Sequence, residues 1–307
     1  MGKLKDRKEK QVVVTGGSGF IGRRLVKRLQ DEGVEVTVID LKPFPGRAVR
    51  SVVGDTYDPA VIAKAVTTDT DTIFHFAAST SVLKSVVDPD LTFRNNIAAT
   101  HQLLEAARRN SVRSFIFASS NAVAGDVGSA TITEDTVLRP LSPYGATKAA
   151  MEMMLSSYSA SYGILGGALR FSNVYGPGMA EKDSFIPRLM RAALNGTGVE
   201  IYGDGEQIRD VVHVDDVVSG VLTAWRTGHI GPLIIASGSS ISVNDMVKTA
   251  RKITKAPIPV HHVDAKQGEM PAVVVDISRA KALGYHPEFS FEKGLMTVWT
   301  DFSEGPK

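Results

Sequence analysis

Short apolar runs alternate along the first half of the chain with segments of helical periodicity. The runs are rich in Val, Ile and Phe, which is typical of strands buried on both faces of a parallel sheet. They lie at residues 11–15, 34–39, 50–53, 72–76, 114–118 and 165–171. Between them, apolar residues recur with the spacing of one helix face at residues 20–32, 59–66, 90–109 and 143–162. The alternation predicts right-handed βαβ units in an α/β fold with a Rossmann-type doubly wound parallel sheet.

The alternation weakens after about residue 173, where glycine and proline cluster. Helices are still predicted at residues 185–194, 215–225, 243–254 and 278–283. We therefore predict a charged tail at residues 1–10 and a Rossmann domain at residues 11–172, to which segments around 210–238 return. Residues 173–307 are predicted to form a smaller mixed α/β substrate lobe.

The charge of the chain is concentrated at its N-terminus. The formal net charge is +2, from 35 Lys and Arg against 33 Asp and Glu. The first ten residues hold five of the basic and two of the acidic residues, so residues 11–307 contain 30 basic and 31 acidic residues. Because this body has no basic excess, we expect no nucleic-acid partner.

Composition also limits the chemistry. The chain contains no cysteine, which excludes disulfides, thiolate metal sites and a cysteine nucleophile. His261 and His262 have no third ligand at a useful spacing, so we predict no metal. We interpret His75 and His213, which lie in apolar strands, as core or strand-end histidines. No apolar run approaches the ~18 residues of a membrane helix, and the basic N-terminus lacks the apolar segment of a secretory signal. We expect a cytoplasmic protein with no membrane contact.

The sequence TGGSGFIG at residues 15–22 joins the first predicted strand to the first predicted helix. Its glycines permit a tight turn and let backbone N–H groups approach a pyrophosphate, and the helix N-terminus adds partial positive charge. The position between a β-branched strand and an amphipathic helix favours a dinucleotide site over an ordinary turn. The predicted contacts are Gly16, Gly19, Phe20, Ile21 and Gly22.

Two acidic residues follow the next predicted strands. Asp40 ends the second strand about twenty residues beyond the glycine loop, where an acid binds the adenosine ribose hydroxyls and repels a 2′-phosphate. This position favours NAD over NADP. Asp55, after the third strand, is predicted to meet the adenine amino group, and the alternative is a turn aspartate after Gly54.

Tyr144 and Lys148 are four residues apart in a predicted helix, so their side chains lie on one face. A phenol with a pKa near 10 is a weak base at neutral pH. An adjacent ammonium and the positive nicotinamide both favour the phenolate and so lower that pKa. Tyr144 and Lys148 are therefore also predicted cofactor contacts, and Lys148 can hold the nicotinamide ribose. Ser120 ends the fifth predicted strand, at the edge where open α/β sheets bind ligands. These residues predict redox chemistry at a carbinol carbon, with Tyr144 as base. The alternative is a surface helix pair and a strand-end hydroxyl cap.

The order of motifs resembles the extended short-chain dehydrogenase/reductase family, in its branch of NAD-dependent nucleotide-sugar epimerases and dehydratases. Besides the glycine loop, the motifs are HFAA (75–78), NNIAAT (95–100), SSNAVAG (119–125), PYGATK (143–148), LRFSNVYGPG (169–178), IYGDGEQIRDVVHVDD (201–216) and DISRAKALGY (276–285). They span nearly the whole chain. The resemblance is greatest to UDP-hexose 4-epimerases, and it implies NAD as the cofactor.

The resemblance implies roles for residues in both predicted domains. Lys148 would tune Tyr144, and Ser120 would bind the substrate hydroxyl. Ala77, Ala78 and Asn96 would complete the cofactor site, Asn96 from the preceding helix.

The predicted substrate lobe supplies the remaining implied contacts. Asn173 and Arg209 match positions that bind the diphosphate of the sugar nucleotide, a task that suits the guanidinium fork. Lys266 stands where the family has a second phosphate-binding arginine. Val273 stands where a bulky side chain excludes N-acetylated sugars, so the pocket is expected to admit a larger substituent at C2.

The chain departs from the family pattern beside Ser120. Dehydratases of this family usually carry an Asp-Glu pair there to eliminate water, whereas this chain has Asn121 and Ala122. The substitution argues against 4,6-dehydratase chemistry. Ala124 replaces a frequent tyrosine, which predicts a reshaped sugar pocket.

We therefore predict a UDP-hexose 4-epimerase that oxidises C4 transiently and reduces it again on the other face. A glucose/galactose type sugar, an N-acetylhexosamine and a uronate all remain open. The alternatives are a nucleotide-sugar reductase or decarboxylase on the same site and a non-catalytic NAD-binding regulator. The resemblance also implies a homodimer through the helices predicted at residues 90–109 and 143–162.

Overall fold

The computed structural model describes residues 11–46, 49–264 and 272–305. The first elements in chain order are β1 (Gln11–Thr15), α1 (Phe20–Asp31), β2 (Val36–Asp40), β3 (Arg50–Val53), α2 (Pro59–Ala65), β4 (Thr70–His75), α3 (Val82–Val87), α4 (Pro89–Phe93), α5 (Ala99–Arg109), β5 (Ser114–Ser120), β6 (Thr131–Ile132), α6 (Pro143–Tyr162) and β7 (Leu165–Phe171). They are followed by β8 (Asn173–Tyr175), α7 (Phe185–Asn195), β9 (Val199–Tyr202), β10 (Ile208–His213), α8 (Val214–Thr227), β11 (Gly231–Ile235), β12 (Ser240–Ser242), α9 (Val243–Thr254), β13 (Val260–Val263), β14 (Val274–Val275), α10 (Ser278–Ala282) and α11 (Phe291–Glu304).

The described chain forms two units. The first contains the residues up to Gly125, Leu138–Arg170 and Val221–Leu233. The second contains Asp126–Val137, Phe171–Gly220 and the residues from Ile234 onward.

A seven-stranded sheet organises the first unit. Its strand order is β3-β2-β1-β4-β5-β7-β11, and β1 pairs in parallel with both β2 and β4. The pairs β2–β3 and β4–β5 are parallel as well. The order runs outward in both directions from β1, which confirms the predicted doubly wound α/β fold.

The apolar runs of the sequence form the interior of this unit. Val13, Ile73 and Phe115 lie in neighbouring strands and belong to one buried cluster, to which α5 contributes Leu103 and α6 contributes Met151. Helix α6 begins at a defined point because Pro143 occupies its first turn and the Ser142 hydroxyl accepts a bond from the Gly145 N–H. The helix ends at Gly163 in the left-handed conformation.

Smaller sheets lie in the second unit. Strands β12, β10 and β8 form one sheet, in which β10 is antiparallel to β12 and parallel to β8. Two further parallel pairs are β13–β9 and β14–β6.

The structure differs from the sequence-based prediction in several elements. The segment predicted as one helix at residues 90–109 is interrupted by a π-helical turn at Arg94–Ala98. Helices α3 and α11 and the short strands of the second unit were not predicted. In the part of the chain that the structure describes, no helix is both long and apolar enough to cross a membrane.

Candidate active site

The glycine loop between β1 and α1 is built around close backbone contacts. A Cβ atom at Gly16 would lie 2.6 Å from the Ala77 nitrogen, and one at Gly22 would collide with the Gly16 carbonyl oxygen. Gly16 also has a positive φ of 67°, which L side chains rarely adopt. Gly19 caps α1 without a side-chain hydrogen bond, so the first turn of α1, with Phe20 and Ile21, has no side-chain cap. This cradle fits a pyrophosphate group at the helix N-terminus.

Asp40 ties the end of β2 to the glycine loop. Its carboxylate accepts bonds from the Ser18 N–H at 2.9 Å and from the Lys42 N–H at 3.2 Å. Each carboxylate oxygen can accept more than one bond, so these contacts leave acceptor capacity for ribose hydroxyls. The ribose contact itself stays a prediction.

Asp55 is engaged by two neighbours. Its carboxylate accepts a bond from the Tyr57 N–H at 2.9 Å and pairs with the Arg94 guanidinium at 2.9 Å. The first contact is that of a turn aspartate, the alternative that the sequence left open. The adenine contact stays a prediction.

The residues after β4 lie beside the glycine loop. The Ala77 N–H donates to the Thr15 hydroxyl at 3.2 Å, and Ala78 follows. The same hydroxyl lies 2.7 Å from Nδ1 of His75, whose Nε2 lies 3.0 Å from the Thr100 hydroxyl. Burial, and to a smaller extent the charge of Lys148, lower the pKa of His75 to about 3. His75 is therefore a neutral, fully bonded core histidine, as its position in an apolar strand predicts.

Ser120, Tyr144 and Lys148 come together between the end of β5 and the first turns of α6. The Ser120 hydroxyl lies near the Tyr144 phenol, whose pKa it acts to lower, and it accepts a bond from the Ala122 N–H at 3.2 Å. The ammonium nitrogen of Lys148 lies 5.9 Å from the centre of the Tyr144 ring. It donates to the Ala118 carbonyl at 2.7 Å. The spacing of four residues thus places both side chains on one face of α6.

The electrostatics of this group differ from the sequence-based expectation. Burial raises the pKa of Tyr144, and the Ser120 hydroxyl only partly opposes that effect. Among the protein's own groups, desolvation of the phenolate therefore dominates. The lower pKa expected with the nicotinamide bound stays a prediction. Burial also lowers the pKa of Lys148 to about 7, and the charge of Glu152 opposes this decrease.

Asn96 is fully buried in the π-helical turn and holds α6 in place. Its side-chain oxygen accepts from the Ser79 N–H at 2.8 Å, and its amide nitrogen donates to the Ser79 carbonyl and to the Thr147 hydroxyl. Thr147 in turn donates to the Tyr144 carbonyl at 2.8 Å. These contacts make Asn96 a positioning residue for the Tyr144 helix, and a direct cofactor contact stays a prediction.

Glu152 is a buried acid that the sequence analysis missed. It lies one turn after Lys148, is 5% exposed and accepts a bond of 2.6 Å from the Ser119 hydroxyl. The Arg170 guanidinium, on β7, binds both carboxylate oxygens, at 2.7 and 3.0 Å. Its signal in the sequence was the spacing of four residues from Lys148, which puts a carboxylate on the same helix face as the ammonium.

In the second unit, three residues predicted to contact substrate lie around the start of β10. Arg209 is on β10, and its guanidinium donates to the Ile208 carbonyl at 2.8 Å. Asn173 begins the neighbouring strand β8 and donates to the Asp210 carbonyl at 3.1 Å. Val273 is buried, and its N–H donates to the Ile208 carbonyl at 3.0 Å. Lys266, the fourth predicted residue, lies outside the described residues.

Asp210, which follows Arg209, fixes this part of the second unit. It is fully buried and accepts bonds from the Ser172 hydroxyl at 2.6 Å and the Ser237 hydroxyl at 2.8 Å. The N–H groups of Ser237 and Gly238 donate to it at 3.0 and 2.8 Å. The carboxylate thus joins β10 to Ser172, just before β8, and to Ser237 and Gly238, just after β11.

Residues 12–234 match the model of the NAD dependent epimerase/dehydratase family. The dTDP-glucose 4,6-dehydratase of Mycobacterium tuberculosis is 33% identical over 306 residues, which cover 94% of this chain and 92% of that protein.

Solved structures of similar proteins match almost the full chain. One is MoeE5 in complex with UDP-glucuronic acid and NAD, with 35% identity and a TM-score of 0.89, covering 96% of this chain and 99% of that one. Another is the UDP-N-acetylglucosamine 4-epimerase from Methanobrevibacter ruminantium M1 in complex with UDP-N-acetylmuramic acid. It has 34% identity and a TM-score of 0.91, and the match covers 97% of this chain and 99% of that one.

Proposed function

The chain belongs to the NAD-dependent epimerase/dehydratase family, and within that family we propose that it is a UDP-sugar 4-epimerase. The family is NAD-dependent, which agrees with the cofactor predicted from the glycine loop. The proposal assigns the NAD site to the first unit and the sugar-nucleotide diphosphate to Asn173 and Arg209 of the second. The observation that carries it is the group of Ser120 with the buried side chains of Tyr144 and Lys148 at the carboxyl end of the sheet.

The arrangement supports proton transfer at a sugar hydroxyl. When bound, NAD accepts a hydride from C4 of the sugar and returns it. The Ser120 hydroxyl binds the C4 oxygen and holds it beside the Tyr144 phenol. Tyr144 removes the hydroxyl proton during oxidation and gives it back after the keto-sugar has turned its other face. We expect the charge of protonated Lys148, together with that of bound NAD, to favour the phenolate against the effect of burial.

Dehydration is the second candidate because a dTDP-glucose 4,6-dehydratase is among the similar proteins. Elimination of water requires an acid and a base beside the oxidised carbon. The two residues that follow Ser120 are Asn121 and Ala122, and neither side chain supplies a carboxyl group. The lack of a carboxyl group at these two positions favours epimerisation.

A product analysis separates the two reactions. Purified protein is incubated with UDP-glucose, UDP-N-acetylglucosamine, UDP-glucuronate and dTDP-glucose, and the products are resolved by NMR. We expect C4 epimers of at least one UDP-sugar without net change in reduced cofactor. A 4-keto-6-deoxy product would establish the dehydratase instead, and stoichiometric formation of reduced cofactor would indicate an oxidoreductase.

The residue roles are tested by Tyr144→Phe. We expect turnover to fall by at least about 10² to 10⁴-fold, the contribution of a general base, while the circular dichroism spectrum is unchanged. Tyr158→Phe is the matched control, because Tyr158 lies on the same helix and its phenol bonds Glu105. An active Tyr144→Phe variant would contradict the mechanism.

The proposal includes a homodimer. Exposed apolar side chains lie on the helices that the resemblance assigns to the interface, with Leu91 and Phe93 on α4 and Met153 and Tyr162 on α6. Light scattering is expected to give twice the mass of the chain, and a monomer would reject this part of the proposal.

A further inference from the structure

Asn121 carries a buried amide that is unpaired among the residues that the structure describes. It is the first residue after β5, directly follows Ser120 and opens a 3₁₀ turn at Asn121–Val123. The residue is 7% exposed, and within the described chain neither its Nδ2 nor its Oδ1 has a hydrogen-bond partner. Such groups are rare in proteins, because the loss of hydration is not offset by a new hydrogen bond. The unpaired amide therefore points to a partner outside the chain.

Asn96, in the same unit, is a buried asparagine whose amide is paired within the protein. It is fully buried, and its oxygen and nitrogen make three hydrogen bonds to Ser79 and Thr147. Asn121 is buried to a similar extent without any of these contacts. Burial and amide chemistry are thus matched between the two residues, and only the protein partners differ.

The turn that holds Asn121 lies against the reacting residues. The Ser120 hydroxyl lies near the Tyr144 phenol and accepts from the Ala122 N–H. The Ala122 carbonyl is packed so closely on α6 that a Cβ at Gly145 would lie 2.6 Å from it. Asn121 therefore sits one residue from the group proposed to bind the C4 hydroxyl. Under the proposed function, a ligand group at this position would belong to the part of the sugar next to C4.

We propose that Asn121 binds a neutral hydroxyl of the sugar near C4, which is either the C3 hydroxyl or the C6 hydroxyl carried on C5. This inference rests on the proposed function. A hydroxyl accepts from Nδ2 and donates to Oδ1 at the same time, so one group satisfies both unpaired atoms. A carboxylate only accepts, which would leave Oδ1 buried and unpaired. If the bound hydroxyl is at C6, Asn121 selects neutral hexoses over uronates.

The first test is thermal stability, which needs no substrate. Asn121→Leu replaces the amide by an apolar group of similar size and is expected to keep or raise the melting temperature, because no protein hydrogen bond is lost. Asn96→Leu is the matched control and is expected to lower it by about 5 °C or more. A comparable decrease in Asn121→Leu would show that the amide is structural, and would overturn the inference.

The second test is binding of UDP-galactose and its 3-deoxy and 6-deoxy analogues, measured by calorimetry. In the wild-type protein, removal of the contacted hydroxyl is expected to raise Kd on the order of 10- to 100-fold. Asn121→Leu is expected to bind that analogue and UDP-galactose equally well. The other deoxy analogue should change the Kd of both proteins by the same factor. The comparison therefore identifies whether Asn121 binds the hydroxyl at C3 or at C6.

Equal discrimination by both proteins at both positions would overturn the inference, and would mean that a bound water or no ligand group pairs with the amide. Failure of the proposed function has a different signature. If the proposed function fails, the wild-type protein forms no C4 epimer from any UDP-sugar. If only the inference about Asn121 fails, the wild-type protein is active, but its discrimination between the analogues does not depend on Asn121.

Discussion

Two buried carboxylates, one in each unit, hold the strand ends that carry candidate ligand-binding residues. Glu152 in α6 binds the Ser119 hydroxyl and the Arg170 guanidinium. Asp210 in β10 binds two serine hydroxyls and two backbone N–H groups. The first acid is balanced by a cation and a hydroxyl, and the second by four neutral donors.

The difference follows from the backbone around each acid. Glu152 lies in the middle of α6 and faces β5 and β7, whose N–H groups are used by the helix and the sheet. Its partners must therefore be side chains. Asp210 faces the turn after β11, where the N–H groups of Ser237 and Gly238 belong to neither a helix nor a strand. Irregular backbone can thus replace a cation as the partner of a buried carboxylate.

The two buried carboxylates differ in their effect on neighbouring titratable groups. The negative charge of Glu152 reaches Lys148 and raises its pKa against the effect of burial. Asp210 lies directly after Arg209, yet its two carboxylate oxygens are occupied by serine and backbone donors. Besides burial, which is the main cause, the charge of Asp210 contributes instead to the raised pKa values of Tyr175 and Tyr285. We infer that the acid in the first unit tunes a candidate reacting group, whereas the acid in the second unit acts on tyrosines outside the candidate site.

The largest expected effect is that of Arg170→Met. The substitution leaves Glu152 buried without its cation, which typically costs about 3 to 5 kcal/mol of unfolding free energy. Urea denaturation measures the loss. The double variant Arg170→Met with Glu152→Gln removes both charges and is expected to recover most of it.

Arg28→Met is the matched control, because Arg28 pairs with Glu32 on the surface with a side chain 62% exposed. Exposed pairs contribute less than about 1 kcal/mol. If Arg170→Met destabilised the protein no more than Arg28→Met, the buried charge pair would not be what distinguishes the two acids.

The candidate reacting residues of the first unit could be proposed from the sequence because their signals are local. The spacing of Tyr144 and Lys148, the glycine loop and the strand-end position of Ser120 can all be read within a few residues. The partners of Glu152 could not be predicted, since Ser119 and Arg170 are 33 and 18 residues away in the chain. Their meeting depends on the order of strands in the sheet.

Helix α11 was missed for a related reason. Its sequence, FEKGLMTVWTDFSE, contains a glycine and three β-branched residues, which lower intrinsic helix propensity. In the structure, a Cβ at Gly294 would collide with the Tyr175 hydroxyl. The glycine is therefore required by packing in the second unit. In the sequence alone, the same glycine indicates a break in the helix.

The second-largest expected effect on stability is that of Asp210→Asn. The new amide nitrogen would face N–H and O–H donors, so we expect a loss of about 2 kcal/mol in unfolding free energy. Asn173 bonds the Asp210 carbonyl and Arg209 precedes it, so the Kd for UDP is expected to rise about tenfold. Urea denaturation and calorimetry measure the two quantities.

Asp245→Asn serves as the control in the same unit, because Asp245 is 53% exposed and pairs with Lys248. It should change neither quantity appreciably. A loss of stability in Asp210→Asn without any change in UDP affinity would separate Asp210 from the candidate phosphate site.

The smallest expected effect is on the titration of Lys148. The unfolded chain keeps this lysine protonated up to a pKa of about 10.5, whereas the folded protein releases the proton above about 7. Between these values the unfolded chain binds more protons, so this group makes the unfolding free energy rise with pH. Removal of the Glu152 charge lowers the folded pKa further, and the rise should then begin at a lower pH.

The double variant Arg170→Met with Glu152→Gln tests this effect without an unpaired buried charge. Its Lys148 pKa, followed through the ¹³Cε resonance of labelled lysine, is expected to lie below the wild-type value of about 7. Asp210→Asn should leave that resonance unchanged at every pH, because Asp210 is not among the groups that shift the pKa of Lys148. An unchanged or higher pKa in the double variant would mean that Glu152, like Asp210, does not tune Lys148. The two buried acids would then differ only in the kind of hydrogen-bond donor that the surrounding backbone allows.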